Sequence, residues 1–118
     1  MPRNISFSMT TEAVRNRTKT VTRRLSWWDL KPGTILQAVE KAQGLKKGEK
    51  VKPLGLIRVV SVKQELLIDI RDAYDDLECV REGFPHLAAW QFVDMFAQAN
   101  RIGWYNTVNR IEFEYVDA

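Results

Sequence analysis

Lys19, Thr22 and two arginines fall within the six-residue run Lys19-Thr20-Val21-Thr22-Arg23-Arg24, which brings together a potential base, a potential nucleophile and two fixed cations. A threonine hydroxyl attacks a carbonyl only when a neighbouring group takes its proton. A lysine can take it only once its pKa is drawn down from about 10.4 toward neutrality. Burial and nearby cations both draw it down. Arg23 and Arg24 supply the cations, and the adjacent pair Trp27 and Trp28 offers a low-dielectric wall. Taken alone the pattern is a weak signal, because Lys-x-x-Thr also occurs on ordinary solvated strands.

The elements around the run must position it. Residues 5–8 alternate apolar and polar, which predicts a short strand. Thr10 then sits where it can cap a helix with Glu12 in its first turn. Met9, Ala13 and Val14 give that helix one narrow apolar stripe, and Arg15, Arg17 and Lys19 bring positive charge to its end, near Arg17 or Thr18. From Lys19 to Arg24 the β-branched residues alternate as in an extended segment, which puts Lys19 and Thr22 on opposite faces. A contact between them therefore requires a turn or irregular backbone. Adjacent tryptophans on a strand also face opposite ways, so one of Trp27 and Trp28 can be core while the other lines a cavity.

Further on, Pro32-Gly33 predicts a turn, residues 35–39 a strand, residues 41–53 a mobile basic loop or hairpin end, and residues 54–67 a long central strand. A helix is predicted from Asp69, with Ala73, Leu77, Val80 and Phe84 on its buried stripe, stopped by Gly83 and Pro85. A second helix covers residues 87–100 with Ala89, Phe92, Val93 and Phe96 on one face, and Trp90 is assigned to the core. The final strand, residues 108–116, should turn Ile111, Phe113 and Tyr115 inward. This order defines an α+β fold, most economically a small curled sheet or barrel flanked by a short N-terminal helix and two later helices.

The 118 residues suffice for one domain, spanning 1–118, and 45% hydrophobic with 28% charged content is that of a soluble globular chain. No apolar run reaches the length of a membrane span or signal peptide, so a cytoplasmic protein with no membrane partner is expected. A single cysteine, Cys79, and a single histidine, His86, exclude an internal disulfide and a Cys/His metal site. Asp69, Asp72, Asp75 and Asp76 read as a solvated helix start rather than a cage, so no metal or other cofactor is expected. Residues 1–64 carry fourteen Lys/Arg against four Asp/Glu and residues 65–118 four against eleven, so the halves are +10 and −7. The basic half suits phosphate-bearing partners such as RNA or nucleotides, or the two halves attract each other within the fold.

Through Lys19-Thr20-Val21-Thr22-Arg23-Arg24, Pro32-Gly33-Thr34-Ile35-Leu36 and Glu82-Gly83-Phe84, the chain resembles the ASCH domain family over nearly its whole length. Within that family it is similar to the bacterial N4-acetylcytidine amidohydrolase group. The resemblance implies a PUA-like β-barrel fold and a metal-free hydrolase that removes acyl groups from the exocyclic amine of cytosine nucleosides. Carried over residue by residue, it implies Lys19, Thr22 and Glu82 as catalytic residues, with Glu78 as the alternative acid. It also implies Arg24 flanking the substrate. Phe7, Trp27 and Trp28 complete the candidate substrate-binding set. In the implied reaction Lys19 deprotonates Thr22, Thr22 attacks the acyl carbonyl, and Glu82 protonates the departing nitrogen. The family usually has glycine where this chain has Arg17.

Two other functions compete with hydrolysis. One is a non-catalytic module that binds RNA or a modified base, with Lys46, Lys47, Lys50 and Lys52 on the backbone. The other is ribonuclease activity, ranked lower because His86 alone cannot form a histidine acid–base pair. The expected partner is a small nucleoside or nucleobase, with RNA a further candidate, and the expected state is a monomer or weak homodimer.

Overall fold

The computed structural model describes residues 2–41 and 44–117. Five strands, β1 (Arg3–Ser6), β2 (Val21–Arg24), β3 (Ile35–Val39), β4 (Pro53–Leu66) and β5 (Thr107–Val116), form one mixed sheet in the order β1-β3-β4-β5-β2. Only the β1–β3 pair is parallel. The long strand β4 is central, as its β-branched run predicts. Its register against β5 shifts between Val59 and Ser61, a bulge that bends the sheet.

The sheet curls so far that its two edge strands meet. Arg24 Nη2 on β2 donates to the Ser6 carbonyl at the end of β1 at 2.6 Å, although these strands are the outermost of the five. One core fills the curl, built from Ile5, Phe7, Leu36, Ile57, Ile111, Phe113 and their neighbours. A second, of Leu67, Ile70, Cys79, Phe92, Val93, Ala97 and Val108, lies beneath the helix α4 (Ala89–Asn100). Ile111 and Phe113 face inward on β5 as its alternation predicts, and Tyr115 is half-buried. Among the described residues no helix is long and apolar enough to cross a membrane.

The helices depart from the expectation in instructive ways. The first, α1 (Thr11–Arg15), follows Thr10, but the Thr10 side chain makes no cap. Thr11 Oγ1 instead donates to the Phe7 carbonyl at 2.8 Å. The helix closes through Arg17, which adopts the left-handed conformation at φ 59° and so takes the backbone role that glycine fills more easily. The long helix expected from Asp69 is two separate turns, α2 (Asp69–Asp72) and α3 (Glu78–Arg81). Aspartates compete with helix formation by bonding nearby backbone. Asp75 does this, accepting from Leu77 N at 3.0 Å. The break rotates the buried face, so Ala73, Leu77 and Val80 are exposed while Ile70, Glu78, Cys79 and Glu82 are buried. Trp90 is exposed on α4 rather than in the core. The basic loop closes the β3–β4 hairpin, with residues 42 and 43 outside those described.

Candidate active site

Where the sheet edges meet, a cavity of about 200 Å³ opens. One wall is polar, with Ser6, Thr10, Lys19, Thr22, Arg23, Arg24 and Glu82, and the facing wall is apolar, with Phe84, Phe92, Met95, Phe96 and Ala99. Chain segments from β1, β2, the end of α3 and α4 thus each contribute a side, and none of them forms the site alone.

Lys19 reaches this cavity because it lies before β2 begins. Its N–H and that of Thr18 donate to the Ala13 carbonyl, and Thr20 N donates to the Arg81 carbonyl at 2.8 Å. The amides here are held by the α1 and α3 ends, and strand β5 reaches the same stretch where Phe113 N donates to the Thr20 carbonyl at 2.9 Å. The irregular approach that the alternation required is therefore present, and Lys19 and Thr22 line the same cavity. The Tyr115 hydroxyl fixes it further by donating to the Lys19 carbonyl at 2.6 Å.

Lys19 is almost wholly buried. Its Nζ donates to Glu82 Oε1 at 3.1 Å and to the Glu82 carbonyl oxygen. Desolvation lowers the Lys19 pKa below its ordinary 10.5, and Arg24 and Arg23 push it the same way, while the Glu82 carboxylate opposes them. Glu82 ends α3 and precedes Gly83, whose φ of 91° turns the chain away. Its second oxygen, Oε2, accepts from Arg23 Nη1 at 2.9 Å. Thr22 Oγ1 accepts from Arg24 Nε at 2.9 Å. Phe7 lies beneath both cations, 5.0 Å from the Arg24 guanidinium and 5.9 Å from Lys19 Nζ.

Lys19, Thr22, Glu82, Arg24 and Phe7 thus share one cavity, whereas the tryptophans do not. β2 ends at Arg24 and a turn follows, in which Trp27 has φ 64°. Trp27 packs against the first core beneath the Arg3 guanidinium, and Trp28 is 44% exposed. Strand alternation does not apply in a turn, so neither ring lines the site. Glu78 lies behind the cavity wall, accepting from Arg23, Arg81 and Arg110. The apolar wall contributed by α4, and Arg23 as the link between Glu78 and Glu82, were not singled out from sequence. Phe92 and Phe96 carried a signal as members of the helix stripe, but one equally expected of ordinary core. Among the described residues no group of three or more His, Cys, Asp and Glu side chains is arranged to hold a metal ion.

This curled mixed sheet with its flanking helices is the ASCH-type, PUA-like fold. No protein-family description matches the chain, and no curated protein matches it by sequence. Solved structures do match. A protein of Enterococcus faecalis assigned to the DUF984 family is similar with a TM-score of 0.65 at 16% identity, over 99% of this chain and 81% of that one. An ASCH domain from Lactobacillus crispatus is similar with a TM-score of 0.59 at 14% identity, over 96% of this chain and 78% of that one.

Proposed function

We propose that this chain is an amidohydrolase acting on N4-acylated cytosine or cytidine, converting N4-acetylcytidine to cytidine and acetate. The observation that carries this reading is the buried Lys19 Nζ, 3.1 Å from Glu82, in a cavity whose wall also presents the Thr22 hydroxyl. The cavity volume of about 200 Å³ lies below the roughly 300–1,000 Å³ of pockets for drug-sized ligands, which suits one base with a short acyl group.

In the proposed reaction neutral Lys19 takes the proton of the Thr22 hydroxyl as Thr22 Oγ bonds to the acyl carbon. The Arg24 Nε–H, already on Oγ1, stabilises the negative charge that develops there. The carbon–nitrogen bond then breaks, and the proton passes to the departing exocyclic nitrogen. Both Glu82 oxygens accept from cations, so Lys19 rather than Glu82 is the better donor for this step, with Glu82 stabilising the transient ammonium. Water hydrolyses the threonine ester, releasing the acid and restoring the hydroxyl. No metal enters any step.

The test is the ultraviolet spectrum of N4-acetylcytidine incubated with chelator-treated protein. Conversion to cytidine by the wild type, lost in Thr22→Val and reduced in Lys19→Met by about 10²–10⁴-fold, supports the reading. Failure to convert this or any longer acyl analogue overturns it. A second reading, a module that holds a flipped or modified base of RNA, has one observation in its favour. A groove of about 320 Å³, lined by Lys41, Lys50 and Lys52 but also by Glu40 and Glu49, shares Ser8 with the cavity. A binder should keep its RNA affinity in Thr22→Val.

A further inference from the structure

Arg23 lines the cavity beside Glu82 and is also the centre of a buried ionic cluster that extends behind the wall to Glu78 and Glu65. Its guanidinium is fully enclosed, with Nη1 on Glu82 Oε2 at 2.9 Å, Nη2 on Glu78 Oε2 at 2.7 Å, and Glu65 Oε2 at 3.7 Å from Nη2. Glu78 in turn accepts from Arg110 Nε at 2.8 Å and from Arg81 Nη1 at 3.1 Å, and Glu65 from the Tyr74 hydroxyl at 2.7 Å. The Tyr74 ring lies against Arg23 at 5.1 Å, Arg110 at 4.9 Å and Lys63 at 5.7 Å. The charged groups of the whole cluster are thus Lys19, Arg23 and Arg24 from β2 and its approach, Glu78 and Arg81 from α3, Lys63 and Glu65 from β4, and Arg110 from β5. Lys19 and Arg23 donate to Glu82 itself.

Stability alone does not account for such a cluster, since replacing buried ion pairs by apolar residues of similar size is often neutral or stabilising. Its geometry has a direction. Among the described residues Arg23 is the one side chain hydrogen-bonded to both Glu78, which does not line the cavity, and Glu82, which does. We propose that Arg23, held by Glu78 and Glu65, is a positioning residue for the reaction, aiming one Glu82 oxygen at Lys19 and setting how strongly Glu82 holds the Lys19 proton. The assignment rests on the amidohydrolase reading for its purpose, but not for its test.

Glu82 is shared between Lys19 and Arg23, so the charge left on Arg23 decides how much of the carboxylate Lys19 keeps. Glu78→Gln removes a neutralising charge from Arg23, which then draws Glu82 from Lys19. Lys19 should lose its proton at a pH about one unit lower, a tenfold change in the equilibrium. Glu65→Gln should move it the same way, and it replaces Glu78→Gln if that variant does not fold. Arg23→Met leaves Glu82 to Lys19 alone, and the titration should move up.

The experiment is a pH titration of the Lys19 side chain by NMR of lysine labelled at Cε, its signal identified by its absence from Lys19→Met. Opposite shifts in the glutamine variants and Arg23→Met support the proposal. The ascending limb of the pH–rate profile should follow with the same signs, with KM unchanged in Glu78→Gln. A merely structural role would let water into the site and move Lys19 upward toward its ordinary value in every variant, which would overturn it. If the wild type hydrolyses no acylcytidine yet the shifts oppose, the reaction is wrong and the Arg23 assignment stands. If it hydrolyses them and the shifts agree in sign, the assignment alone is wrong.

Discussion

At the residue scale, Lys19 joins stability to chemistry. Its side chain is 3% exposed and pairs with a Glu82 side chain that is 3% exposed, so neither charge can turn to water for relief. As a base it works only when neutral. The rate should therefore rise with pH through an ionisation below the ordinary lysine value, because burial penalises the ammonium. A pH–rate profile with an ascending limb well below 10.5 would match that origin. A flat profile would mean that Lys19 is not the base. The choice of variant matters here. Lys19→Met keeps Glu82 paired with Arg23, whereas Glu82→Ala leaves the buried Lys19 without its carboxylate and Arg23 with only Glu78 and Glu65, and should destabilise by about 3–5 kcal/mol. Urea denaturation of the two variants would show the difference. Lys19→Met is thus the cleaner probe of catalysis.

At the scale of elements, two backbone positions flank Lys19 and Glu82, the pair proposed to act in catalysis. Arg17 ends α1 at φ 59°, a conformation in which a non-glycine residue is less stable than glycine by roughly 1 kcal/mol. Its compensation is an exposed pair with Asp117 at 2.7 Å and a contact with the Tyr115 ring at 5.5 Å. Exposed pairs contribute only about 0–1 kcal/mol. Arg17→Gly should therefore leave stability unchanged or raise it slightly in a thermal melt. Gly83 behaves oppositely. Its φ is 91°, and a Cβ there would meet Thr10 Cγ2 at 3.1 Å and Ala13 Cβ at 3.2 Å. Gly83→Ala should lower stability by about 1–2 kcal/mol, displace the adjacent Glu82 and reduce turnover. Calorimetry and the spectral assay would check both effects, and an unchanged melting temperature would show that the turn tolerates the side chain. The strands were legible in sequence because alternation and β-branching are local. Lys19 and Thr22 were legible as candidates because they lie three residues apart in one short run. The broken helix was not, because apolar spacing favoured a continuous stripe while Asp69 and Asp75, accepting from the nearby Leu66 and Leu77 amides, set a different phase. The positions of the tryptophans depended on a turn that no local rule signalled.

At the scale of the molecule, the unequal charge of the two halves is partly used inside the fold. Arg23 of the basic half is enclosed by Glu65, Glu78 and Glu82 of the acidic half, the second of the two explanations that composition left open. Those partners lie on different elements, so no motif could have revealed them. The same enclosure extends to the phenols around the site, and this gives the protein a characteristic alkaline response. Tyr74, desolvated and donating to Glu65, and Tyr115, desolvated against Lys19, each have pKa values raised from 10.0 to about 12. A phenol whose folded pKa exceeds its unfolded value contributes stability that is complete below the unfolded pKa and is lost as pH rises through the folded one. Lys19 acts with the opposite sign. Its folded pKa is lowered, so the unfolded chain binds more protons between that value and 10.5, and stability rises with pH across the window. Once pH passes 10.5 the lysine contribution is complete and only the tyrosine loss continues. Two of the three tyrosines should therefore show phenolate absorbance near pH 12 in the folded protein and near pH 10 in urea. Urea midpoints should fall between pH 10 and 12, and Tyr115→Phe should fall less steeply than the wild type. Equal slopes would mean that burial does not raise the Tyr115 phenol in the folded protein.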